Sequence, residues 1–126
     1  MTDKRLTVLA SMQDHYDGLF KRLHYLFAGH GTGLVSSLAV LKDYISIPQY
    51  HGVGLLIALF GIGLVCTILS YITLSYSQTL AKNAVLDRTA HEPSMLVFYI
   101  HYGGLFASVL TFVVAVCIIV WWFAGF

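Results

Sequence analysis

Hydrophobic and polar positions divide this chain into three long apolar runs, Leu23 to Leu41, His51 to Tyr76 and Met95 to Phe126, separated by short polar stretches. Eighteen or more mostly uncharged residues in a row make a helix long enough to cross a hydrocarbon core about 30 Å thick. The pattern predicts three spans, about 24–41, 51–76 and 95–123. Ahead of them Leu6, Leu9, Met12, Tyr16, Phe20 and Leu23 recur at steps of three and four, with Lys4, Asp14, Asp17, Lys21 and Arg22 on the other face. That is the period of an amphipathic helix. Residues 1–22 are expected to form an arm along the inner interface or under the bundle, bending at Gly18 into the membrane. A straight extension of the first span is the alternative. The predicted fold class is all-α, an amphipathic arm followed by a transmembrane bundle over 23–126.

Punctuation between the runs sharpens these elements. Lys42, Asp43, Tyr44 and Pro48 make a short connection, with Tyr44 and Tyr50 suited to the headgroup level. Gln78 to Arg88 holds good helix formers and neither Gly nor Pro, so the second helix is expected to continue past the membrane. Pro93 pushes its predecessor out of helical geometry, and Ser94 can cap the third span.

Composition agrees with a lipid solvent: 58% of residues are hydrophobic and 10% charged, with a mean hydropathy of +0.78. Soluble domains carry about 25% charged residues. Lys4, Arg5, Lys21 and Arg22 precede the first run, Lys82 and Arg88 lie between the second and third, and Lys42 alone marks the first connection. The positive-inside rule then predicts N-in and C-out, with the second helix extended into the cytoplasm. A secretory signal peptide is set aside, because the arm is long and two further spans follow. Cys66 and Cys117 fall at different predicted depths and are read as small buried apolar residues, not a disulfide or metal pair.

Each span carries small residues at helical spacing: Gly29, Gly33 and Ser37 on the first, Gly54 and Ala58 on the second, Gly104 and Ser108 on the third. Such stripes let helix backbones approach closely. Copies of the chain, or other membrane subunits, are the expected partners beside the bilayer itself. Thr67, Ser70, Thr73 and Ser77 add a hydroxyl stripe that could line a pore in an oligomer. The preferred reading is that they bond their own backbone or a neighbouring helix.

Two histidines invite a cofactor. His30 and His101 each fall about 9 Å into spans that run the same way, so a haem b held from both sides is an alternative. Hydrogen bonding of each imidazole to a neighbouring helix is preferred. No carboxylate lies within a span, and no phosphate loop, zinc pattern or nucleophile constellation is present. The chain is expected to be no enzyme, with no metal, no required cofactor and no nucleic-acid surface.

Ala28-Gly29-His30-Gly31-Thr32-Gly33, opening the first span, and Leu69-Ser70-Tyr71 through Ser75-Tyr76-Ser77-Gln78, closing the second, resemble a group of small uncharacterised bacterial inner-membrane proteins. The resemblance implies a multi-pass protein of the bacterial inner membrane and brings no activity with it. Where that group's pattern would place Asn, this chain has His30. Succinate dehydrogenase membrane anchors, which use histidine for haem, are matched only at Arg22 and His24.

Overall fold

The computed structural model describes residues 3–44, 52–87 and 95–124. They form three helices, α1 (Asp3–Tyr44), α2 (Val53–Asp87) and α3 (Met95–Ala124). Gly52 accepts from the amides of Leu55 and Leu56 and so starts α2. A Cβ at Gly52 would collide with the Trp122 ring, so glycine lets the end of α3 close over the start of α2. The expected boundary residues Pro48, Tyr50, His51, Arg88, Pro93 and Ser94 lie outside the described residues.

α1 runs without interruption through Gly18 for 42 residues, so the expected arm and first span belong to one continuous helix. Its apolar stripe is used inside the molecule: Leu9, Met12, Tyr16, Leu19 and Phe20 are partly covered and Leu23 is buried. Phe20 meets Tyr71 of α2 edge-on at 5.2 Å between ring centroids. The stripe therefore has a protein partner that a sequence pattern cannot distinguish from a lipid interface, since both select the same apolar face. The predicted continuation of the second helix is present, because α2 reaches Asp87.

α2 is the central helix. It packs along both α1 and α3, which barely meet each other. Its buried positions are Val53, Leu56, Phe60, Gly63, Thr67, Ser70 and Leu74, alternating steps of three and four. The flanking helices bury one residue per heptad, Leu23, His30 and Ser37 on α1 and His101, Ser108 and Ala115 on α3. A strict seven-residue repeat is the packing period of left-handed bundles. Gly33 against Phe60 and Gly63 against His30 show that α1 and α2 run antiparallel. Phe60 with Phe112 and Ser70 with His101 show the same for α2 and α3. The start of α1, the end of α2 and the start of α3 thus share one end of the bundle.

Two of the helices, α2 over Val53–Leu86 and α3 over Met95–Ala124, are long and apolar enough to cross a membrane. Only 33% of the most apolar stretch of α2 and 11% of that of α3 is buried, whereas a soluble protein's core helix is mostly enclosed. Leu55, Ile62, Val65 and Ile72 on α2 and Phe106, Val113 and Val120 on α3 are exposed. The buried set is mixed: beside Leu23, Leu56 and Phe60 it holds His30, Ser37, Thr67, Ser70, His101 and Ser108. Apolar outside with polar residues inside is the arrangement lipid selects, since polar groups there need partners that lipid tails do not offer.

Candidate functional site: two histidine levels in the bundle

Apart from Ser37, the buried polar side chains gather at two levels one heptad apart along α3, about 10 Å along the axis. At the first, His30 of α1 reaches past α2 to α3. Its Nε2 lies 3.0 Å from both the carbonyl and the hydroxyl oxygen of Ser108. A carbonyl only accepts, so Nε2 carries the proton and donates. The Ser108 hydroxyl then donates to Thr67 Oγ1 at 2.6 Å, and Thr67 donates to the Gly63 carbonyl at 2.8 Å. Both hydroxyl protons of this relay, on Ser108 and Thr67, have an acceptor.

Gly63 is what makes the reach possible. A Cβ there would fall inside the His30 ring, so α2 is notched at the point where the imidazole crosses it. Phe60 and Phe112 close the notch with edge-on contacts to the ring at 6.1 and 5.4 Å between centroids. His30 is fully buried and its Nδ1 has no hydrogen-bond partner.

At the second level His101 of α3 faces Ser70 of α2. Nδ1 lies 2.9 Å from Ser70 Oγ and 3.0 Å from the Ser70 carbonyl oxygen, while the Ser70 hydroxyl donates to the His101 carbonyl at 3.0 Å. Nδ1 therefore carries the proton, and Nε2 is a bare acceptor, buried and without a partner. One turn away Gly104 lets the backbones close in, since a Cβ there would stand 3.0 Å from the Cys66 carbonyl oxygen.

A cavity of about 410 Å³ opens at this second level, between all three helices. Its walls include His15, Tyr16, Ser77, Phe98, His101 and Tyr102. Burial, and after it the neighbouring Tyr102 phenol, push the Tyr16 phenol above its usual range. Among the described residues that line it, none is Asp, Glu, Lys or Arg.

The predicted site residues divide as follows. Gly29 packs under Phe112, Gly33 under Phe60, and Ser37 is buried with its hydroxyl bonded to the Gly33 carbonyl at 2.7 Å. Gly104 and Ser108 belong to the α2–α3 contact. Gly54 and Ala58 are exposed, and nothing among the described residues lies within 4 Å of a Cβ at Gly54. Thr67 and Ser70 of the hydroxyl stripe are consumed by Ser108 and His101. Thr73 bonds the Leu69 and Ser70 carbonyls at 3.0 Å, and Ser77 faces the cavity.

Haem held between His30 and His101 does not fit this arrangement. His30 is level with Ser108 and not with His101, its Nε2 is committed, and the notch around its ring is filled by Phe60 and Phe112. Equal depths read from the sequence are corrected by one heptad, because the two helices are staggered by their packing on α2. Cys66 and Cys117 are free, and Cys117 is exposed where a buried position was expected. Among the described residues no three His, Cys, Asp or Glu gather at a metal-binding distance. Sequence reasoning passed over Gly63, the cavity and Tyr16 with Tyr102. Only the seven-residue spacing of His30 with Ser37, and of His101 with Ser108 and Ala115, carried a trace of the two levels.

Compared with known proteins, the chain matches no family model, no curated protein and no solved structure.

Proposed function

We propose that this chain is a three-span protein of the bacterial inner membrane that acts, without catalysis, by assembling with other membrane helices, its own copies first. α1 supplies the third span through its second half, and the first half of α1 pairs with the end of α2 on the cytoplasmic side. The charge distribution supports this orientation. Lys4, Arg5, Lys21, Arg22 and Lys82 belong to the end shared by the start of α1 and the end of α2, and Lys42 to the other. More cationic residues at one end is the pattern of the cytoplasmic face.

The single observation that carries the assembly reading is the idle small-residue pair on α2. Gly29, Gly33, Gly104 and Ser108 are all used to seat neighbouring side chains or backbone, whereas Gly54 and Ala58 are exposed and no described residue lies within 4 Å of a Cβ at Gly54. In lipid, where no hydrophobic force drives helices together, close backbone approach over small residues is the main source of affinity. A pore version is less well supported, because Thr67 and Ser70 have their partners inside one chain.

The test is the native mass in nanodiscs or mild detergent. Gly54→Leu should shift an oligomer to the monomer while leaving the melting transition in place. A wild-type monomer, or an oligomer that Gly54→Leu does not change, overturns self-assembly through this face.

A further inference from the structure

We infer that the groove between α1 and α2 at the level of His24 seats one anionic phospholipid, with an acyl chain in the groove and the phosphate held by Lys21, His24 and Tyr71. This goes beyond assembly and rests on the membrane reading, not on contact between copies.

Access is the first requirement, and this groove is open to the surface. Leu23, His24 and Phe27 of α1 and Thr67, Ile68 and Tyr71 of α2 line a space of about 230 Å³. Leu23 and Thr67 are its buried floor, while Phe27, Ile68 and Tyr71 are 50%, 42% and 43% exposed. Pockets that enclose a whole small molecule hold roughly 300–1,000 Å³, so this space suits a stretch of a longer one. Gly31, one heptad beyond His24, and Gly61, one heptad before Ile68, have nothing described within 4 Å of a Cβ. The groove continues over them toward the other end of the bundle. An alkyl chain laid along it meets carbon on both sides, the close contact from which dispersion attraction accumulates.

Depth and charge select the head. The Trp122 ring lies over Gly52, and from Gly52 to Tyr71 is about 28 Å at 1.5 Å per residue, close to the roughly 30 Å of a hydrocarbon core. With Trp122 at one interface, Tyr71 stands at the other. There its ring stacks on His24, with centroids 6.3 Å apart and 16° between the planes, and meets Phe20 edge-on. A phenol hydroxyl and an imidazole N–H both donate to phosphate oxygens. Lys21 is exposed and sits about 60° round α1 from His24, and its flexible stem carries the ammonium to the headgroup level. Asp17, a turn before Lys21, is engaged in the other direction, with Gln13 Nε2 donating to its Oδ1 at 2.9 Å. Arg22 is also exposed but lies about 160° from His24, away from the groove. One cation and two neutral donors above an apolar groove match a phosphate that carries an acyl chain.

The experiment is native mass spectrometry of the full chain released from nanodiscs of equimolar phosphatidylglycerol and phosphatidylcholine with the same acyl chains. One phosphatidylglycerol per chain should be retained about fivefold over phosphatidylcholine, the effect of one basic residue at a membrane surface. Lys21→Gln should bring that ratio close to one, while Arg22→Gln, on the far side of the helix, leaves it as in wild type. Ile68→Trp fills the groove from its exposed wall and should remove the retained lipid of either kind with the helical signal intact. Equal retention of the two lipids, equal loss in Lys21→Gln and Arg22→Gln, or wild-type retention by Ile68→Trp would each overturn the site. The same spectra keep the readings apart: a chain that does not enter nanodiscs refutes the membrane reading, and a monomer that selects phosphatidylglycerol refutes only self-assembly.

Discussion

His30 and His101 are built on one plan and end in different surroundings. Each is buried, each gives its only ring proton to a serine carbonyl across a helix contact, and each keeps a second nitrogen with no partner. Around His30 the space is closed by a glycine notch and two phenyl rings. Around His101 the same chemistry borders a cavity of about 410 Å³. Similar hydrogen bonding thus makes a bolt through a glycine notch at one level and one wall of a cavity at the next. Packing, rather than residue type, decides which.

The largest effect is expected where the bolt passes through α2. Gly63→Leu should cost about 3 kcal/mol, since overpacking adds to the loss of the His30 bonds. Gly61→Leu, two residues away with nothing within 4 Å of its Cβ, should stay within about 0.5 kcal/mol. Steric-trap or denaturant unfolding in bicelles would read both, and equal effects would remove the notch from the account.

His30→Leu comes next, at about 2 kcal/mol, combining interhelical hydrogen bonds with the fit of the ring between Phe60 and Phe112. The same assay on His101→Leu should give about 1 kcal/mol, because that ring borders empty space on one side. A larger loss at His101 than at His30 would reverse the comparison. Smallest of all is Gly54→Leu, within about 0.5 kcal/mol of wild type for the single chain. Gly33→Leu, in contrast, would drive a side chain into the Phe60 ring and destabilise the chain itself, so a mass shift in that variant would say nothing about assembly.

Part of this was legible from residue order. The long apolar runs announce helices, two of them long and apolar enough to cross a membrane, and the extension of α2 follows from a lack of Gly and Pro in 78–87. Small residues at steps of four marked three stripes, of which those on the first and third helices, Gly29, Gly33 and Ser37 and Gly104 and Ser108, lie inside the bundle. Yet hydropathy says nothing about which way α2 faces. Leu55 and Leu56 are equally apolar, and one is exposed while the other is buried, because lipid tails and a protein core reward the same side chains.

The sequence by itself determined the helices, the reach of the second past its apolar run, the apolar character of the second and third, and the need of each buried histidine for a partner. Those follow from local geometry and from the cost of an unpaired polar group in lipid. Only the tertiary structure decided the stagger of the helices, and with it that His30 meets Ser108 through Gly63 while His101 meets Ser70 beside a cavity. Stagger is set by how side chains from three helices interlock, a property of the whole set of contacts that no single stretch of chain contains.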